Sequence, residues 1–218
     1  MTYASRMGER RTWRDVDGER VEGTWRHVFV SDGQAWCLVD LFVYADGMVD
    51  CWGLMTFDEL TQRFASGRMT TSPPQGARGS ADVLMEWTFD EPQSWLSTEG
   101  LLGELRDAIE ELNGRPTSTQ RCLAAVEVFR RNQTEDNRAV LRAAYQAIPE
   151  HLRIRALEDA DTRDWPLAVL AAGPGNRFEF HGVERVVTEE MHAAELRYFD
   201  EREEWLNRSR RDERSPAR

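Results

Sequence analysis

Apolar residues in the first ninety positions alternate with polar ones or gather in short runs, whereas beyond position 97 they recur every three or four residues. The first pattern predicts strands and the second predicts helices. Residues 24–30 (TWRHVFV), 35–44 and 48–55 are rich in β-branched and aromatic types. Asp46-Gly47 lies between the last two runs, which predicts a hairpin closed by a two-residue type I′ turn. That turn pairs Ala45 with Met48, Val43 with Asp50 and Leu41 with Trp52. One face then carries Cys37, Val39, Leu41, Val43 and Trp52, and the other carries Trp36, Leu38, Phe42, Tyr44, Val49 and Cys51. Both faces are apolar, so the hairpin is expected to be covered on both sides.

Thr56-x-x-Glu59 predicts a capping box opening a short helix that Gly67 stops. Short strands are expected at 68–72 and 81–89. Four or five mostly antiparallel strands are therefore predicted within 24–90. Leu101, Leu105, Ile109 and Leu112 mark one face of a helix that starts at Ser97 or Thr98 and stops at Gly114. Thr117 to Gln120 reads as another capping box. Thr134 and Thr188 are expected to cap two further helices, and a short helix is expected at 151–157. The runs 165–170 and 177–180 are ambiguous and can be read as late strands separated by Gly173-Pro174-Gly175.

Strands first and helices after predict an α+β fold, with an N-terminal mostly antiparallel sheet followed by a packed helical region. The domain reading is a single domain over 1–218, strand-rich over 24–90 and helix-rich over 97–206. A flexible basic tail is expected over 207–218. No internal repeat is visible.

Composition narrows the function classes. The chain has 218 residues, 8 Trp and a net charge of −11, and all 28 basic residues are Arg. The absence of Lys excludes Schiff-base chemistry and a Walker-type phosphate lysine. The tail carries five Arg and two acids, which leaves 23 basic and 37 acidic residues, or −14, for the remainder. An acidic body makes nucleic-acid binding an unfavourable reading. No apolar run reaches 18 residues, so no membrane span is expected. Residues 1–13 lack the apolar stretch of a signal peptide. Cys37, Cys51 and Cys122 are odd in number and fit no C-x-x-C spacing. They read as buried thiols of a cytoplasmic protein rather than a disulfide framework or a zinc site.

Candidate chemistry is sparse. The acidic run 159–164 starts like a calcium loop but has Asp164 where Gly is needed and Leu170 where Glu is needed. The four His form no H-E-x-x-H or H-x-x-x-H pair, and His192, three residues before Glu195, reverses the di-iron order. No metal, no cofactor and no catalytic residue is assigned. Asp40 and Asp50 stand on strands that read as buried, so each needs a partner, and Arg is the strong one available. Ion pairing is the structural reading. A ligand site with Trp36 or Trp52 stacking a ring is the functional one. The candidate ligand-binding residues are Asp40, Asp50, Trp52, Asp161, Asp164 and Trp165.

Four segments carry a resemblance: Tyr44-Ala45-Asp46-Gly47 with Asp50-Cys51-Trp52-Gly53; Leu112-Asn113-Gly114-Arg115-Pro116; Ile148-Pro149-Glu150-His151-Leu152; and Asp161 with Asp164-Trp165-Pro166. Together they resemble an uncharacterised bacterial domain family of unknown function found beside, or fused to, NADAR domains. NADAR proteins are implied to remove ADP-ribose from modified nucleobases. The chain departs from the family at Glu158 and Arg163, where Gly and Lys are expected, and no catalytic residue carries over. The resemblance implies an accessory or binding module linked to NAD or ADP-ribose metabolism, with a protein partner or an ADP-ribose-like small molecule. Two alternatives stand beside it. One is a carboxylate-dependent hydrolase of ADP-ribosyl or nucleoside glycosidic bonds. The other is a toxin-neutralising, immunity-type protein.

Overall fold

The computed structural model describes residues 10–158, 162–180 and 182–213. The chain divides into two compact units, Met1–Thr117 and Ser118–Arg218. Strands dominate the first and helices the second, an α+β order.

The first unit is built on a sheet of eight strands among the described residues. They are β1 (Thr12–Val16), β2 (Glu19–Ser31), β3 (Trp36–Tyr44), β4 (Val49–Asp50), β5 (Leu54–Met55), β6 (Met69–Thr70), β7 (Arg78–Ala81) and β8 (Met85–Thr88). Strands β1 to β5 pair in sequence order, and β6 pairs with β2 beyond the end of β1. Pairing is antiparallel except for β3 with β7, which run parallel. Strand β1 was not predicted. It is joined to β2 by Asp17-Gly18, both with positive φ (53° and 85°) and with Val16 facing Glu19. That is the two-residue geometry in which Asp-Gly is favoured.

The turn at Asp46-Gly47 differs from the prediction. Val43 faces Val49 and Phe42 faces Asp50, one residue off the expected register. Only Gly47 has positive φ (82°), and the Tyr44 N–H donates to the Met48 carbonyl. The loop is therefore three residues closed by a glycine in the left-handed region. The Asp46 side chain stabilises this longer loop by accepting from the Met48 N–H at 3.1 Å and from Arg14.

The register exposes one face. Leu41, Val43, Val49, Val28 and Val30 are buried, whereas Leu38 and Asp40 are exposed, so the hairpin is covered on one side only. The covering elements are α1 (Phe57–Ala65) and α2 (Thr98–Leu112). Leu60 and Phe64 of α1, with Leu101, Leu102, Leu105 and Ala108 of α2, complete the core. Both halves of the Thr56–Glu59 capping box form, and Ser97 caps α2 through the Gly100 N–H. Helix α2, read from sequence with the helical part, thus belongs to the core of the sheet unit.

The second unit contains α3 (Ser118–Arg131), α4 (Glu135–Ala147), α5 (Glu150–Arg153), α6 (Trp165–Ala172) and α7 (Glu189–Glu213), with a hairpin of β9 (Arg177–Phe180) and β10 (Val183–Val186). Thr134 and Thr188 cap their helices through the Asn137 and Met191 N–H groups. The expected strand at 165–170 is helical. Pro166 occupies its first turn, and Pro166 to Ala171 are all buried. A helix buried all round has no amphipathic period to read. Arg142 on α4 donates to the Ala171 and Ala172 carbonyls and Arg138 to that of Leu170, satisfying the end of α6. Helix α7 continues to Glu213, into the segment read as a basic tail, while 214–218 lie outside the described residues. No helix among the described residues is long and apolar enough to cross a membrane.

Candidate functional site

In β2, odd-numbered residues from Trp25 to Phe29 point away from the core, because Val28 and Val30 point into it. The pairing register sets these residues in rows across the outer face. Trp25, Phe42, Asp50 and Leu54 make one row, with His27 and Asp40 next and Phe29 and Leu38 beyond. Trp36, Gly79 and Trp87 make a further row. The result is an aromatic face with two carboxylates on it.

Asp40 is exposed and its Oδ1 lies 3.0 Å from His27 Nδ1. Its partner is therefore a histidine, not the arginine expected from sequence. Trp25 meets the edge of His27, with ring centroids 5.0 Å apart, and Arg10 stacks over Trp25 at 4.8 Å. Asp50 is half-buried and accepts from the Gly53 N–H at 3.1 Å, holding the β4–β5 turn. Trp52 sits in that turn with φ of 54° and is 59% exposed. A large residue in the left-handed region costs about 1–3 kcal/mol and persists where its surroundings fix it. Cys51 beside it is buried, and burial pushes its thiol up to about 11, which makes it unreactive.

At the end of this face Trp87 packs over Gly79, where an added Cβ would lie 2.3 Å from the indole. Phe89 meets both Trp87 and Phe29 edge-on, at 5.7 Å and 5.3 Å. Along β2 and the end of α2, a cleft of about 460 Å³ is lined by Arg10, Arg11, Arg20 and Arg26, with Glu22 and Glu111. Arg26 is paired with Glu104 of α2.

Asp164 and Trp165 belong to the second unit. Asp164 is buried and accepts from the Tyr145 hydroxyl at 2.8 Å. Burial, then the Asp164 charge, raises the Tyr145 pKa, so the phenol keeps its proton and serves as donor. Trp165 Nε1 donates to Glu195 at 2.8 Å, and its ring packs on Phe178 and Phe180. Burial raises the Glu195 carboxyl pKa, partly opposed by that hydrogen bond. Asp161 lies outside the described residues. The fold thus places Asp40 and Asp50 on one face, Trp52 in the adjoining turn, and Asp164 with Trp165 in the other unit. Sequence reasoning passed over Trp25, His27 and Arg10. The signal for the first two was the alternation Trp25-x-His27-x-Phe29, which sets all three on one side of a strand.

His192, set aside as a ligand from its spacing, is buried against Arg138, with Nε2 and Nη1 3.1 Å apart, and against the edge of Phe129. No group of three or more His, Cys, Asp or Glu among the described residues could hold a metal ion.

Comparison with family models divides the chain where its compact units divide. Residues 11–116 match a family described as Domain of unknown function (DUF7638), and residues 117–210 match Domain of unknown function (DUF7639). No curated protein and no solved structure matches the chain. The unknown-function part of the sequence resemblance is met by two family models in tandem, one matching each unit.

Proposed function

We propose that the chain is a non-catalytic binding module for an ADP-ribose-like nucleotide, held on the outer sheet face of the first unit. The carrying observation is the register that sets Asp40 and Asp50 on the same face as the Trp25–Phe42 pair. Trp25 and Phe42 are half-buried, so their accessible ring edges and faces offer stacking to a purine, and carboxylates accept from an exocyclic amine or from ribose hydroxyls. Arg10, which already stacks on Trp25, supplies a planar donor for a diphosphate. Stacking contributes roughly 1–3 kcal/mol per base. The test is calorimetry with ADP-ribose, NAD and AMP. Binding is expected for the parent chain and a fall of about tenfold or more for Trp25→Ala, with a smaller loss for Asp40→Asn. Absence of binding to all three nucleotides sinks the reading.

One observation favours a second reading, hydrolysis. Asp40 and Asp50 occupy diagonal positions across β3 and β4, which sets their Cα atoms roughly 7–8 Å apart. Carboxyl pairs roughly 6.5–9.5 Å apart serve inverting glycosidases. Release of nicotinamide from NAD by the parent chain, lost in Asp50→Asn, would replace the binding reading with this one.

A further inference from the structure

Strand β8 leaves one edge of the first sheet open. Among the described residues it pairs only with β7. The Phe89 N–H donates to the Ala77 carbonyl at 2.9 Å, and the Phe89 carbonyl accepts from the Gly76 N–H at 2.7 Å. Phe89 therefore spends both main-chain groups on the β7 side. Main-chain groups alternate sides along an antiparallel strand, so those of Trp87 and Met85 also face β7, and those of Glu86 and Thr88 face outward. Two donors and two acceptors thus stand in a row on an open edge.

Open edges are ordinarily guarded by charge, proline or a bulge. On β8 the guard is weak. Glu86 is the one charged residue of the strand, and Arg78 of β7 donates to its carboxylate at 2.6 Å, which neutralises it and holds it towards β7. The large rings do not block the edge either. Trp87 lies over Gly79, and Phe89 packs against Trp87 and Phe29, so both lean back across the sheet. The turn that leads into β8 is apolar and bare: Val83 is 90% exposed, Leu84 84% and Met85 61%. Three consecutive exposed apolar residues beside unpaired main chain mark a surface for strand addition.

We propose that β8 pairs antiparallel with β8 of a second copy of this chain, about a two-fold axis through Trp87, joining two sheets into one. Charge and pleat together select the register. With the axis at Trp87, Glu86 faces Thr88 of the second copy, and every outward group meets an outward group. Met85 then faces Phe89 on the outer side, and the bare residues Val83 and Leu84 run beside residues 90–91 of the second copy. An axis at Glu86 would set that carboxylate against itself, and an axis at Thr88 would set it against Asp90. Like charges directly opposite one another are destabilising. An axis at Met85 would run the second copy into the turn, where Asp82 has left the strand with φ of 47°. An axis between two residues would pair an outward residue with an inward one and form no ladder. The register that remains is self-complementary, as a closed two-fold interface requires.

Sedimentation velocity on the full chain, from low micromolar to near-millimolar concentration, tests this. A ladder of this length buries less than the roughly 1,200–2,000 Å² of a standard interface, so a dissociation constant in the micromolar range or weaker is expected. The chain should pass from monomer to dimer with concentration and go no further. Thr88→Pro deletes an outward N–H that the chain's own sheet does not use, and it should stay monomeric throughout. Leu84→Glu sets a carboxylate beside Asp90 of the second copy and should weaken the dimer about tenfold or more. If Thr88→Pro does not fold, Leu84→Glu and a cross-link decide. In a Cys37→Ser background, a mixture of Glu86→Cys and Thr88→Cys chains should form a disulfide between the two, and neither chain should cross-link alone. A parent chain that stays monomeric, a dimer unchanged in folded Thr88→Pro or in Leu84→Glu, growth past the dimer through another edge such as β1, or a cross-link in Glu86→Cys alone would each overturn the proposal. None of these outcomes bears on the nucleotide reading, whose probes and variants lie at Trp25, Asp40 and Asp50.

Discussion

The side-chain amide of Asn113 donates to the main-chain carbonyl of Ala45 at 2.6 Å, tying the end of α2 to the β3–β4 turn 68 residues earlier. The same amide donates to the Ile109 carbonyl at 2.7 Å, so one side chain closes its own helix and clasps the hairpin. On the other side of the turn, Asp46 pairs with Arg14, whose guanidinium lies over the Tyr44 ring. The three-residue loop at 45–47 is therefore held from both flanks.

Replacing Asn113 by Ala should remove both hydrogen bonds. An exposed pair of this kind is worth about 1 kcal/mol. The urea midpoint of the chain is expected to fall accordingly, and amide exchange at Tyr44 and Gly47 to speed up. An unchanged midpoint with unchanged exchange would show that the clasp carries no stability.

Gly79 makes a sharper case, because two effects oppose each other. In an open strand Gly→Ala gains about 0.5–1 kcal/mol from reduced unfolded-state entropy. Here the new methyl would meet the Trp87 indole at 2.3 Å. Overpacking costs about 1–3 kcal/mol, so Gly79→Ala should destabilise, with a change in tryptophan emission. In a Trp87→Ala background the same substitution should become neutral or stabilising. A double-mutant cycle with no coupling would refute the packing argument.

His192 gives a pH dependence with a definite sign. Burial, and then the neighbouring Arg138 charge, hold its pKa below the ordinary value of 6.5. Below that value the unfolded chain binds a proton that the folded chain resists. The stability is therefore full above about pH 6.5 and is lost as the pH falls below it. His192→Gln retains an acceptor for Arg138 without the titration. Comparing urea midpoints at pH 7 and pH 5 should show a smaller loss in the variant than in the parent. Glu195, whose pKa shift has the opposite sign, is present in both and cancels. Identical losses would remove His192 as the source.

The three thiols should separate under a thiol reagent at pH 8. Burial pushes Cys51 up to about 11 and Cys122 up to about 12, and both side chains are enclosed. Cys37 is half-buried on β3. One fast thiol is expected in the native chain, lost in Cys37→Ser, and three after denaturation. Three thiols reacting at one rate would contradict the packing around Cys51 and Cys122.

Local chemistry wrote much of this fold into the sequence. The Thr56 box, the Ser97, Thr134 and Thr188 caps and the spacing from Leu101 to Leu112 were legible, because each depends on residues within one or two helical turns. So was the order of strands before helices. Tertiary structure decided the rest. The helix from Trp165 to Ala172 is enclosed on all sides, so its sequence has no polar face to mark a period. Two Asp-Gly pairs took different turns. Asp17-Gly18 formed the two-residue loop, while Arg14, Asn113 and the Asp46 side chain stabilised a three-residue loop at the other. That one added residue moved Asp50 from opposite Val43 to opposite Phe42, and so put it on the face that carries Trp25 and Asp40. A strand alternates its side chains residue by residue, so which face a carboxylate occupies depends on register, and register was set here by partners dozens of positions away.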